Sequence, residues 1–196
     1  MKIINFILHG IDTINDWVGK IFRWTLVVLA IVMCYEVFAR YVFNKPTIWA
    51  FEVSTGLFAT SFMMCGAYGL LWKTHVIIDI LYDKLSLRGK AIMDLFTHAI
   101  FFYPFLITVL YIGTNWAAKS WAIKETGWST FQMPVYLIKT TIPLFAFFCL
   151  LQGTATVIRA ILNLVTGKLH ESRYKKLSIV QAVLNDMQLQ KEKQNV

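Results

Sequence analysis

Residues 51–72, FEVSTGLFATSFMMCGAYGLLW, decide how this chain is read. A helix that crosses the hydrocarbon core of a bilayer needs about 20 mostly apolar residues, and this stretch has both the length and the composition. Three others pass the same test, at about 21–39, 91–113 and 136–162. Pro104 and Pro143 fall inside the third and fourth; lipid-embedded helices tolerate proline where neighbours re-satisfy the freed carbonyls, so kinks are expected and not ends. The whole composition agrees. Of 196 residues, 57% are hydrophobic and 15% charged, where a soluble domain carries about 25% charged residues. Four spans with short loops leave no room for a sizeable soluble domain, and collagen-like, disordered and disulfide-stapled classes are excluded.

The net charge of +8 would raise nucleic acid as a partner in a soluble protein. Here the positions of the charges matter more, because retained cytoplasmic loops are enriched in Lys and Arg. Fourteen of the nineteen basic residues fall in the N-terminal segment, the second loop and the C-terminal end. The other five are Arg40, Lys45, Lys119, Lys124 and Lys139. The expectation is a multi-pass membrane protein with both termini cytoplasmic and no nucleic-acid partner.

Residues 1–20 lack the long apolar run and small-residue cleavage site of a signal peptide and are expected to be retained. Ile4, Ile7, Leu8, Ile11, Ile14, Val18 and Ile21 recur at three- and four-residue intervals, with Asn5, His9, Asp12, Asn15 and Asp16 between them. That pattern predicts an amphipathic helix lying in the membrane interface; 76–87 carries a weaker version of it. Trp116, Trp121, Trp128 and Phe131 mark a third loop, 114–133, that rests along the outer surface, since indole rings favour the water–lipid boundary. Beyond residue 165 the composition turns to Lys, Gln, Glu and Asn, with Leu177, Ile179, Val180, Val183, Leu184 and Met187 predicting a short helical cytoplasmic tail over 166–196. Its Lys175 and Lys176 suit anionic lipid. The fold class is thus an all-α membrane protein of four transmembrane helices, with an interfacial helix before them and a helical tail after.

Chemistry-bearing residues are few. Cys34, Cys65 and Cys149 lie within spans without paired spacing, as buried small residues would. No phosphate loop, nucleophile elbow or metalloprotease histidine pair is present, so catalysis is not expected. His75 and His98 leave one alternative open, a membrane haem or quinone anchor. Intramembrane charge is more informative. Glu36 and Arg40 are four apart and share a helix face, and Glu52 begins the next span at the same depth, so Arg40 is placed to pair with Glu36, Glu52 or both. These groups serve either as a structural ion pair tying two helices or as an ion or substrate site. A self-sufficient four-helix proton-coupled multidrug exporter is the alternative built on Glu36 and Glu52, though both lie near a helix end and not at mid-span. Broken helices, repeats and midplane polar groups, the marks of a transporter with its own substrate site, are scarce.

Glu36-Val-Phe-Ala-Arg40-Tyr41-Val-Phe43-Asn44-Lys-Pro46, then Trp49 and Glu52, followed by His75-Val76-Ile-Ile-Asp79, resembles the small membrane subunit of TRAP (tripartite ATP-independent periplasmic) transporters, the DctQ-like family. The resemblance covers about residues 20–165, and the first two blocks carry it. It implies a sodium-driven uptake system of the bacterial inner membrane in which a periplasmic binding protein delivers an organic acid to a pair of membrane subunits. The large one holds the substrate and sodium sites and moves as an elevator. The small one, at one-to-one stoichiometry, is its scaffold and carries no cofactor. The family pattern falls on Glu36, Arg40, Asn44, Pro46, Trp49 and Glu52 at the outer side and on His75 and Asp79 at the inner side. Arg40 and Glu52 are expected to fix the first two helices, with Lys45, Trp116, Trp121, Trp128 and Phe131 meeting the periplasmic partner.

Overall fold

The computed structural model describes residues 2–72 and 86–166, and every named element among them is helical. In chain order these are α1 (Lys2–Tyr41), α2 (Ala50–Trp72), α3 (Leu87–Thr97), a π-helical turn (His98–Phe102), α4 (Tyr103–Ala122) and α5 (Val135–Thr166). Among the described residues four rods are long and apolar enough to cross a membrane, because α3, the π turn and α4 run on as one. His75, Asp79, most of the 76–87 stretch and the tail with Lys175 and Lys176 lie outside the described residues.

The π turn has a local cause. Pro104 has no N–H to return to the carbonyl four residues back. The chain widens its register instead, Tyr103 donating its N–H to the carbonyl of His98 five residues earlier. Pro104 thereby sits in the first turn of α4, where its missing donor is harmless. Ser86 starts this rod, its hydroxyl accepting from Gly89 N at 3.2 Å. At the far end α4 continues to Ala122, so Trp116 and Trp121 are helical residues and the third loop shortens to 123–134. Continued 3.6-residue winding through Asn115–Ser120 costs nothing that the residue types forbid.

Helix α5 is the centre of the bundle. Both α1 and α2 pack on it as well as on each other, and the α3–α4 rod packs almost wholly on it. Close approach is possible because the contact residues are small, which is how helices associate in lipid. Ala67, Ala146 and Cys149 surround Leu106 in the core cluster. A side chain at Gly153 would strike the Phe102 ring, and one at Gly66 the Phe145 ring.

Helix α1 is unbroken over 40 residues, about 60 Å at 1.5 Å per residue, where the sequence suggested a separate element ending near residue 20. Its first half is turned the opposite way to a helix resting its apolar side on a membrane and its polar side in water. Asp12, Asn15 and Asp16 are buried against the bundle, whereas Ile3, Phe6, Ile14 and Trp17 face outward. The reason is a polar network shared with α5. Arg159 Nη2 donates to Asp12 Oδ2 at 2.6 Å, Gln152 Nε2 to Asp12 Oδ1 at 3.2 Å, and Asn15 Nδ2 to Gln152 Oε1 at 2.7 Å. Lys20 completes this face with a 2.6 Å bridge to Asp16. Groups this deeply buried are retained only when bonded, so the network fixes which side of α1 faces inward.

Candidate functional site

The candidate site is the end of the bundle where the α1–α2 and α4–α5 connections meet, each organised by one glutamate. The first connection begins where α1 stops. Asn44 takes a left-handed conformation, φ 52°, which its short amide side chain tolerates. Lys45 N returns to the Ala39 carbonyl at 3.0 Å, and Pro46 prevents further winding. The reversed chain brings Thr47 over Glu36, whose Oε2 accepts from the Thr47 backbone N–H at 3.2 Å and from its hydroxyl. The other oxygen accepts from Arg40, Nη2 at 2.7 Å and Nε at 3.2 Å. Trp49 then stacks on Tyr35 with ring centroids 5.8 Å apart. Thus Glu36, Arg40, Asn44, Pro46 and Trp49 all shape a single turn.

Glu52 lies in the first turn of α2 and works on the other connection. Its Oε1 accepts from Ser129 N and its Oε2 from Met133 N, each at 3.1 Å. Arg40 therefore pairs with Glu36 on its own helix, and the carboxylate of Glu52 is taken up by loop amides instead of by Arg40. Gly127 lies against this carboxylate so closely that a Cβ there would stand 2.5 Å from Oε1. Gly127 N donates to the Met133 carbonyl at 2.7 Å and Val135 N to the Glu125 carbonyl at 3.0 Å, either side of an antiparallel bridge between Thr126 and Pro134. Lys124 and Gln132 are left-handed, φ 46° and 52°, and make the corners.

Around this loop Lys139 Nζ bonds Glu125 Oε2 at 2.5 Å, and the Lys139 ammonium holds the Glu125 carboxyl below its ordinary range. Trp121 donates its indole N–H to Thr140 Oγ1 at 2.9 Å and lies 4.6 Å from the Tyr136 ring. Trp128, at the tip, is fully exposed. An apolar groove of about 600 Å³ runs beneath it, walled by Ile48, Phe51, Thr55, Gly56 and Ile138 with Glu52 at its side.

Of the residues the sequence singled out, the structure gathers Glu36, Arg40, Asn44, Pro46, Trp49 and Glu52 at this end, with Lys45, Trp128 and Phe131 exposed in its loops. Trp116 and Trp121 lie half-exposed on α4. His98 is apart from the site: its Nδ1 is 2.7 Å from the Asp94 carbonyl oxygen and its ring lies tilted against Phe102, centroids 4.9 Å apart. Cys149 is buried as expected of a small core residue, but Cys34 faces outward on α1. Among the described residues no three of His, Cys, Asp and Glu gather as metal ligands would. Sequence reasoning missed Thr47, Gly127 and the amides of Ser129 and Met133. Backbone donors leave no mark in a sequence, and the left-handed Lys124 and Gln132 are not residue types that advertise a corner.

The profile of one family, described as "Tripartite ATP-independent periplasmic transporters, DctQ component", matches residues 29–163. No curated protein matches the chain.

Proposed function

The chain belongs to the DctQ-component family of tripartite ATP-independent periplasmic transporters, and we propose that it serves as the scaffold of a larger membrane subunit in a sodium-coupled importer of an organic acid. A periplasmic binding protein delivers the substrate, and the large subunit carries the sodium and substrate sites and moves. The observation that carries this reading is the pair of glutamate-clamped loops at one end of a bundle that exposes large apolar side chains along each of its rods. Such an arrangement suits a fixed body held in lipid and presenting a preformed end to a partner. The charge asymmetry argues that this end is periplasmic and that both termini are cytoplasmic.

The exporter reading draws less support from this geometry. An exchanging carboxylate must release and rebind its proton during transport, whereas Glu36 and Glu52 each accept hydrogen bonds on both oxygens. Of the two histidines behind the haem reading, only His98 lies among the described residues, its ring tilted against Phe102.

Affinity purification of the tagged chain from its native membrane, with mass spectrometry of what stays bound, tests the proposal. Recovery of a large multi-span membrane protein in equal amount is expected, and Arg40→Glu, which sets two carboxylates four residues apart, is expected to weaken that recovery. A chain that came out alone and transported a substrate by itself in liposomes would overturn the scaffold reading.

A further inference from the structure

Residues 1–28 and 164–196 lie outside the family match, and the first half of α1 and the end of α5 lie at the same end of the bundle. Arg159 on Asp12 fixes the last turns of α5 beside the first half of α1. The chain leaves α5 at Thr166, about 10 Å further on. On the side of α1 opposite Asp12 and Asn15, Ile3, Ile7, Gly10, Ile14 and Trp17 follow one another at intervals of four and three residues. The four large side chains are 76%, 52%, 49% and 63% exposed. Gly10 makes a notch between them, since a Cβ there would meet nothing within 4 Å.

Apolar residues at this spacing form the seam along which two helices pack. The same stripe continues through Ile21, Trp24, Val28, Ile31, Tyr35 and Phe38, all exposed. Measured from Ile3 it is about 50 Å long, against a hydrocarbon core of about 30 Å. Acyl chains alone do not cover it along the axis of a helix that crosses the bilayer, and an apolar strip left in water is unfavourable.

We infer that residues 177–187 of this same chain dock on the stripe formed by Ile3, Ile7, Gly10, Ile14 and Trp17. Leu177, Val180, Leu184 and Met187 repeat the spacing of three and four, and together with Ile179 and Val183 they would make the apolar side of a helix so formed, opposite Ser178, Gln181 and Asn185. The intervening residues 167–176 reach about 33 Å when extended, more than the length of the stripe they must pass, about 21 Å. A tether of that length holds the segment at an effective concentration in the millimolar range, so a short seam suffices. The notch at Gly10 admits one large apolar side chain from the segment. The two segments outside the family match thus complete each other: α1 supplies a face anchored by its buried polar side, and the tail supplies the cover.

The test uses the chain with Cys34, Cys65 and Cys149 replaced by alanine and Ile7→Cys introduced, in lipid nanodiscs open on both sides. The rate of labelling by a charged maleimide is compared between the full chain and one ending at Thr166. Removing the segment is expected to raise the rate about tenfold, as docking populated nine parts in ten requires. Leu184→Asp in the full-length chain is expected to reproduce the rise, which keeps the test independent of truncation. Labelling equally slow in all three would mean that lipid shields Ile7, and labelling equally fast that nothing does; either overturns the docking. Neither result bears on recovery of the large subunit, so the transporter reading stands or falls separately.

Discussion

Asp12 and Arg159 are the residues whose removal has the clearest consequence. Arg159→Met leaves the buried Asp12 carboxylate without its cation and is expected to destabilise the bundle by about 3–5 kcal/mol, as breaking buried pairs does. Adding Asp12→Leu is expected to recover most of that loss. Thermal unfolding in detergent of the single and double variants reads both. Glu125 gives a pH signature. Its carboxyl is held below the ordinary value of 4.5 by Lys139, so it binds protons more readily unfolded than folded. The contribution is complete above pH 4.5, shrinks as acid is added and is gone below the folded pKa. Protease cleavage within 123–134 is expected to rise over that acid range and to lose this step in Glu125→Gln. The arrangement was only half legible beforehand. Glu36 with Arg40 at four residues is a helix pair that spacing reveals, whereas Asp12, Asn15 and Asp16 read as a wet face because nothing in α1 announces Gln152 and Arg159 more than 130 residues away.

At the scale of elements, helix number and position follow from apolar length, and all four rods lie where the hydropathy places them. Helix ends do not follow so readily. The third rod outruns its apolar core at both ends, since Ser86 caps one and Lys119–Ala122 still wind at the other. Pro104 signalled a disturbance but not its form, because only the packed rod decides between a kink and the wide turn at His98–Phe102. Packing between elements rests on absent side chains. Gly153→Leu would drive a branched side chain into the Phe102 ring and is expected to cost about 1–3 kcal/mol, the usual range for overpacking. A lower melting temperature, partly restored by Phe102→Ala, is the outcome to look for.

For the molecule as a whole, the sidedness assigned from basic residues makes a direct prediction. In the chain with its three native cysteines replaced, Trp128→Cys is expected to react with a membrane-impermeant maleimide in intact spheroplasts. A position in the first turns of α1 is expected to react only after lysis. The reverse result would invert the topology and move the glutamate-clamped loops to the cytoplasm. The central position of α5 also bears on how the protein is made. Helices α1 and α2 pack on each other as well as on α5, so they have a mutual partner as soon as both are synthesised, whereas the α3–α4 rod packs almost wholly on α5. At about 5–20 residues per second, a few seconds of translation separate the end of α4 from the end of α5. Throughout that interval the third span waits in the bilayer with its small-residue face uncovered, and membrane insertases or proteases meet this chain as a half-built hairpin beside an orphan helix.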